Sequence, residues 1–370
     1  MKKPQKLVSQ EYNLSFLSPA FLGNAEQKGQ FRTPPFKALL REWWRVAVAP
    51  SLMYDWKRIL AREQDLFGSV RGASGGTQSH VRLRLKGWDA GHMTELSHVL
   101  IERVGGMNPP FVPGLYLGYG PITNQEKVVK IKQPPAIADG EKLNLLTVMY
   151  PADYQDEIER ALRLVQAFGT LGGRSHNGWG SLDLAPPDGS GWLWSSCLPE
   201  EFSKMLRPLD ECLGSDWPAA IAKDAKGPLI WRVDAEPKPN ESDQKKDVLK
   251  KLSLLRQRLN KKAREKDYSG VTGRALLSLP VANAKGAEGS MGNDGRLPSS
   301  LRFKVVRFEA EEGKGRRVGA IVYHMPFNVN VQEKLPLLNA VAKGQQMEFW
   351  TIIHELLDKD HVRIGGGQLG

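Results

Sequence analysis

Residues 169–182 read Gly-Thr-Leu-Gly-Gly-Arg-Ser-His-Asn-Gly-Trp-Gly-Ser-Leu. Glycine reaches positive φ and allows a partner to approach the backbone closely, so amides around Gly172 and Gly173 can line one concavity and hold a phosphate. Arg174 adds a fixed cation, Ser175 and His176 add hydrogen-bonding groups, and Trp179 adds a flat face on which a base can stack. The chemistry on offer is recognition of a phosphate and a base. The motifs of nucleotide enzymes do not fit. No Lys-Ser or Lys-Thr follows the glycines, and the spacing Gly-Gly-Arg-x-x-x-Gly-Trp-Gly is not the dinucleotide fingerprint. The phosphates of a polymer backbone suit the segment better than those of ATP. The competing use of the same glycines is a long turn between a helix and a strand.

A second group of cations stands near the start of the chain. Lys37, Arg41 and Arg45 are spaced four apart, which places them on one side of a helix, and Arg32 precedes its start. Like charges at that spacing repel, and a polyanion lying along the stripe would relieve the repulsion. The alternative is a solvated face salted by Glu42 and other acids.

Composition agrees with a polyanion partner. The 370-residue chain carries 52 Lys and Arg against 41 Asp and Glu, a net charge of +11. Two cysteines, Cys197 and Cys212, without CxxC spacing exclude a disulfide scaffold and point to a reducing cytoplasm. The first residues, Met-Lys-Lys-Pro-Gln-Lys, contain no apolar leader, and no run of about 18 apolar residues follows, so neither secretion nor a membrane span is expected. His, Cys, Asp and Glu show no metal-ligand spacing, and no metal or cofactor is expected.

The elements that must position these residues read as follows. Leu7–Leu17 is a strand, and a helix starts with Thr33 as N-cap and Pro34 and Pro35 in its first turn, burying Phe36, Leu39, Leu40, Trp43 and Val46. Trp43 and Trp44 are expected to divide, one in the core and one less buried. Tyr54–Phe67 is a second helix, and a Gly/Ser-rich turn over 68–76 leads to the alternating strand Val81–Leu85. Extended segments follow at Val128–Ile131 and Leu143–Tyr150, then a helix over Asp153–Phe168 closed by Gly169 as its C′ glycine, the glycine loop, and a strand at Gly180–Leu184. That is a βαββαβ order, the ferredoxin-like pattern with insertions. A connector over 186–227 precedes a less clear repeat. Its parts are Leu229–Val233, a helix over 245–266 with ten basic residues against two acids, strands Leu301–Phe308 and Val318–Met325, a helical region within 331–357, and His361–Ile364. The fold class expected is α+β, with a first domain over 1–185 and a second over 228–370.

Several segments together resemble the RAMP superfamily of CRISPR effector proteins, most closely the first RAMP subunit of Cmr-type (type III-B) RNA-targeting complexes. The likeness rests on Phe31-Arg32-Thr33-Pro34-Pro35-Phe36-Lys37 continuing to Arg45, on Glu63-x-x-Leu66-Phe67-Gly68-Ser69, on Gln78–Arg82, on the glycine loop, and on Arg296–Leu301. It departs from the family where Ser175-His176-Asn177 replaces paired basic residues, and where the second half has no equally clear glycine loop before its final strand, only Gly365-Gly366-Gly367. The resemblance implies two ferredoxin-like (RRM-like) domains and a non-catalytic subunit near the guide 3′ end. Its implied partners are CRISPR guide RNA, target RNA and the other RAMP subunits. Arg32, Lys37, Arg41, Arg45 and Arg174 would contact phosphates, with Gly172, Gly173, Ser175 and His176 supplying the loop and Trp179 stacking. The rival is a RAMP endoribonuclease that uses a histidine as general base. His176 is its first candidate and His80 the next, but acid–base cleavage wants a second group across the 2′-OH, and Asp183 is the nearest in sequence.

Overall fold

The structure, a computed structural model, describes residues 6–69, 76–105, 111–141, 144–188, 193–268, 270–279, 296–310, 315–329 and 336–365. It divides into two units, one of residues 1–98, 118–205 and 304–317, the other of 99–117, 206–303 and 318–370.

In the first unit, β1 (Leu7–Phe16), β2 (Arg82–Leu85), β3 (Asn144–Pro151) and β4 (Leu182–Ala185) form one antiparallel sheet in the order β2-β3-β1-β4. Helices α1 (Thr33–Val48) and α2 (Trp56–Phe67) join β1 to β2, and α3 (Gln155–Phe168) joins β3 to β4. Alternation decides which face is covered: Leu14 and Phe16, Leu146, Val148 and Tyr150, and Leu182 and Leu184 are all buried. Against them α1 buries Phe36, Leu39, Leu40, Trp43 and Trp44, and α3 buries Ile158, Ala161, Leu162, Val165 and Phe168. Trp43 stacks on Phe168 at 5.4 Å, and Phe168 stacks on Phe202 at 5.5 Å. Each such ring, fully buried, contributes about 2–3 kcal/mol.

Three local expectations are corrected. Thr33 is the first helical residue, and Arg32, extended at φ −154° and ψ 144°, occupies the N-cap position. Gly169 is extended at φ −71° rather than left-handed, because the chain turns straight into the loop instead of closing the helix. Trp43 and Trp44 are both buried, and the Trp44 indole donates to Glu157 at 3.1 Å. Between β2 and β3 stands a hairpin of Ile122–Gln125 and Val128–Ile131.

A second sheet, of β5 (Ile230–Asp234), β6 (Leu301–Glu309), β7 (Arg316–His324) and β8 (Val362–Arg363), follows the order β6-β7-β5-β8. Helix α4 (Glu241–Arg264) joins β5 to β6, and α5 (Lys343–Asp360) joins β7 to β8, so the connectivity repeats that of the first sheet strand for strand. The apolar stripe Val248, Leu252, Leu255 and Leu259 of α4 is buried as its spacing requires. The connector holds short helices and a three-stranded sheet of Arg207–Pro208, Ala222–Asp224 and Gly227–Pro228. Gly366, Gly367, most of the turn over 68–76 and the start of the expected helical region 331–357 lie outside the described residues.

Candidate nucleic-acid interface

The glycine loop leaves α3 and returns to β4, and the bridge Thr170–Ser181 closes its neck. Ser18 stitches that neck: its Oγ donates to the Gly178 carbonyl at 2.6 Å and accepts from the Ser181 amide at 2.9 Å. Several loop amides are already used, Gly173 donating to Phe21 O, Asn177 to Arg174 O, Gly178 to Ser175 O and Gly180 to Pro19 O. Gly180 has φ +61°, and a Cβ there would stand 1.9 Å from the Leu171 carbonyl oxygen, so only glycine fits. At Gly172, φ is +97° and a Cβ would meet Phe21 O at 2.7 Å. These glycines first serve close packing of the loop on residues 19–22.

That packing builds a cleft of about 610 Å³. The loop forms one wall with Gly172 and Gly173. The residue before α1, Arg32, forms part of another, and the hairpin side contributes Pro121, Ile131, Lys132 and Gln133. Among the described residues, the cleft lining carries two cations and no carboxylate. Arg32 Nε is buried and has no hydrogen-bond partner among the described residues. Pro34 and Pro35 remove amide donors from the first turn of α1, and no acid stands there, so positive charge at this helix start is supplied by the Arg32 side chain.

The remaining expected residues are placed differently. Arg41 and Arg45 both grip Glu63 of α2, whose side chain is wholly buried: Arg41 Nε donates at 2.8 Å and Arg45 Nη2 at 2.7 Å. Burial alone would raise the Glu63 pKa, but hydrogen bonds and charge from Arg45 and Arg41 outweigh it and hold the carboxyl below its ordinary value. The stripe is therefore half structural: two of its guanidiniums pin α1 to α2. Lys37 stays half-buried on α1, its pKa lowered by burial first and by the charge of Arg41 second. Arg174, exposed and at φ +58°, donates from Nε to the Tyr119 carbonyl at 2.6 Å. Ser175 and His176 are half-buried on the loop and are not among the residues that line the cleft. Trp179 corrects an expectation outright: it is 0% exposed, packed against Phe21 at 5.1 Å, and no base can reach its face. Its indole supports Phe21, which does line the cleft.

Sequence reasoning gave Glu63 no role and missed Lys132 and Gln133. The burial of Glu63 was legible in its helix, since its i−4 and i+3 neighbours, Ile59 and Leu66, are core residues and set it on the buried side, but its partners on α1 were not. Lys132 lacks any local signal, because only the tertiary fold brings it into one cleft with Arg32. The basic helix α4 is largely neutralised by neighbours. Lys245 pairs with Glu241, Lys246 with Asp243, Lys251 with Glu236 and Asp247, Arg258 with Asp360, and Lys262 with Glu265. Among the described residues, no group of three or more His, Cys, Asp and Glu could hold a metal ion, and no helix is long and apolar enough to cross a membrane.

Residues 13–183 match the sequence model of the RAMP superfamily, a span that includes α1, the cleft and the glycine loop. No curated protein sequence matches the chain. Among solved structures, it is similar to the apo crystal structure of Cmr1 from Pyrococcus furiosus, with 15% identity and a TM-score of 0.48 over 97% of this chain and 99% of that one. It is also similar to a chain of the type III-B Cmr-beta complex bound to cognate target RNA and AMPPnP in the presence of ssDNA, at 13% identity and a TM-score of 0.44 over 96% and 99% of the two chains. A second Cmr-beta structure, bound to cognate target RNA, gives 12% identity and a TM-score of 0.40 over 90% and 100%.

Proposed function

We propose that this chain, whose residues 13–183 are a RAMP-superfamily segment, is an RNA-holding subunit of a type III-B CRISPR effector complex in the prokaryotic cytoplasm. Its two sheets, each with the strand order second-third-first-fourth, are read as two ferredoxin-like domains. Its partners are guide RNA, target RNA and neighbouring RAMP subunits, and its place is near the guide 3′ end. The observation that carries the RNA reading is the cleft: a concavity with Arg32, Lys132 and a glycine wall, and no carboxylate among its described lining residues to repel a phosphate. Arg32 and Lys132 take the phosphates, with Lys37 along the continuation of α1, while Arg41 and Arg45 belong to the fold.

The subunit binds without cutting. Acid–base cleavage of RNA needs two proton-moving groups flanking one ribose. The described residues lining the cleft include no histidine, aspartate or glutamate, and His176 is not among them. The test is fluorescence anisotropy of the purified chain with labelled single-stranded RNA, followed by a denaturing gel of the same RNA with and without divalent metal. Binding with the RNA left whole is expected. Absence of affinity even at low salt would overturn the reading, and cleavage abolished by His176→Ala would replace it with the endoribonuclease.

A further inference from the structure

We infer that the cleft of the first unit takes one unstacked nucleotide of the bound strand, base together with phosphate, rather than a run of backbone. This rests on the RNA reading above and names the unit of RNA that the site recognises. Size points this way first. A cavity of about 610 Å³ lies within the range that holds a compact organic ligand and is too small to admit a helix of RNA. Chemistry points the same way. The lining includes four rings, of Phe21, Pro35, Pro121 and Pro135, apolar surface that a base can lie against. The lining also includes Gln27 and Gln133, both exposed, whose amides can each offer a donor and an acceptor to a base edge. The cations Arg32 and Lys132 complete a site with separate provisions for a base and for a phosphate.

The walls are also rigid. Phe21 is backed by the buried Trp179 ring, so it cannot retreat. The opposite turn, Tyr119–Pro121, is held by Arg174, whose Nε donates to the Tyr119 carbonyl at 2.6 Å and whose guanidinium lies 3.7–3.8 Å from where a Cβ on Gly120 would stand. Gly173 abuts the same turn so closely that a Cβ on it would meet Pro121 Cγ at 2.8 Å. Arg174 is thus a positioning residue for a wall of the cleft.

The test is calorimetric titration of the full chain with each nucleoside 5′-monophosphate and with ribose 5-phosphate, followed by competition against single-stranded RNA. At least one nucleotide should bind about tenfold or more tightly than ribose 5-phosphate, and it should displace RNA. Arg174→Ala should collapse that ratio toward one while leaving the melting temperature and the salt dependence of RNA binding unchanged, an outcome that a merely structural arginine would not give. Nucleotides that bind no better than ribose 5-phosphate, with RNA still bound, would overturn this inference and leave the RNA reading standing. A nucleotide that binds without displacing RNA would make a free nucleotide the occupant and remove the cleft from the RNA. No affinity for nucleotide or RNA would overturn both.

Discussion

At the scale of single residues, the first unit spends several polar groups on its own interior. Lys304 is fully buried and donates to the Gln166 and Val165 carbonyls, in the last turn of α3. Burial pushes its pKa down to about 7, opposed by Cys197 and Asp183. With the folded pKa below the unfolded one, the unfolded chain binds more protons between about pH 7 and 10.5, so folding gains stability as pH rises through that window. Urea denaturation at pH 7 and 9.5 should therefore show the wild type gaining on Lys304→Met, by at most about 1.4 kcal/mol per pH unit. A constant difference between the two would mean the lysine stays charged in its site. Gly180 is a residue whose role is conformational. Gly180→Ala should cost at least about 2 kcal/mol, because it combines a left-handed φ with overlap on a backbone carbonyl, and thermal melting checks it. A melting temperature like the wild type's would show that the loop can shift to admit a side chain.

At the scale of elements, Glu63 couples two helices. Substituting Glu63→Gln leaves Arg41 and Arg45 without their shared counter-charge, and a loss of about 2 kcal/mol is expected at pH 7, limited by the partial exposure of both arginines. The deficit relative to wild type should shrink only below pH 4.5, since the native carboxyl titrates beneath its ordinary value. In the second unit, β7 and α5 meet through a buried histidine pair, His354 Nε2 to His324 Nδ1 at 3.0 Å, with Ser300 Oγ at 3.2 Å from His324 Nε2. Burial lowers both pKa values, His354 to about 3, so the unfolded chain protonates first and stability falls as pH drops below 6.5. His354→Gln, which keeps hydrogen-bonding capacity without a titrating ring, should flatten the stability profile between pH 6 and 4.5. An unchanged profile would place the acid sensitivity elsewhere. Most elements were legible because period and punctuation agree: the alternation of Val81–Leu85, the prolines opening α1 and the apolar stripe of α4 each reappear within a few residues of their expected bounds. The placement of charges was not legible in the same way. The spacing of Lys37, Arg41 and Arg45 identifies a shared face, but whether that face meets water, RNA or a carboxylate depends on Glu63, which sequence distance separates and packing unites. Trp179 shows the same limit, since a glycine-flanked aromatic reads as exposed until the loop is folded onto Phe21.

At the scale of the molecule, a net charge of +11 is an incomplete guide to where a polyanion sits. The most basic segment in sequence, the long helix α4, has five of its cations paired with acids, whereas the described lining of the cleft holds two cations and no acid to cancel them. What matters for association is the uncompensated charge that a strand can touch, and each phosphate neutralised by the protein contributes about 0.7 to the salt slope of single-strand binding. The measurement that bears most directly on the account is the salt dependence of single-stranded RNA affinity for the wild type and for Arg32→Ala combined with Lys132→Ala. Both side chains line the cleft, and neither serves the fold through an ion pair of the kind that holds Arg41 and Arg45. The melting temperature should therefore hold while affinity falls at every salt concentration and the slope drops by about 1.4. An affinity and slope equal to the wild type's, with the fold intact, would show that RNA does not enter this cleft.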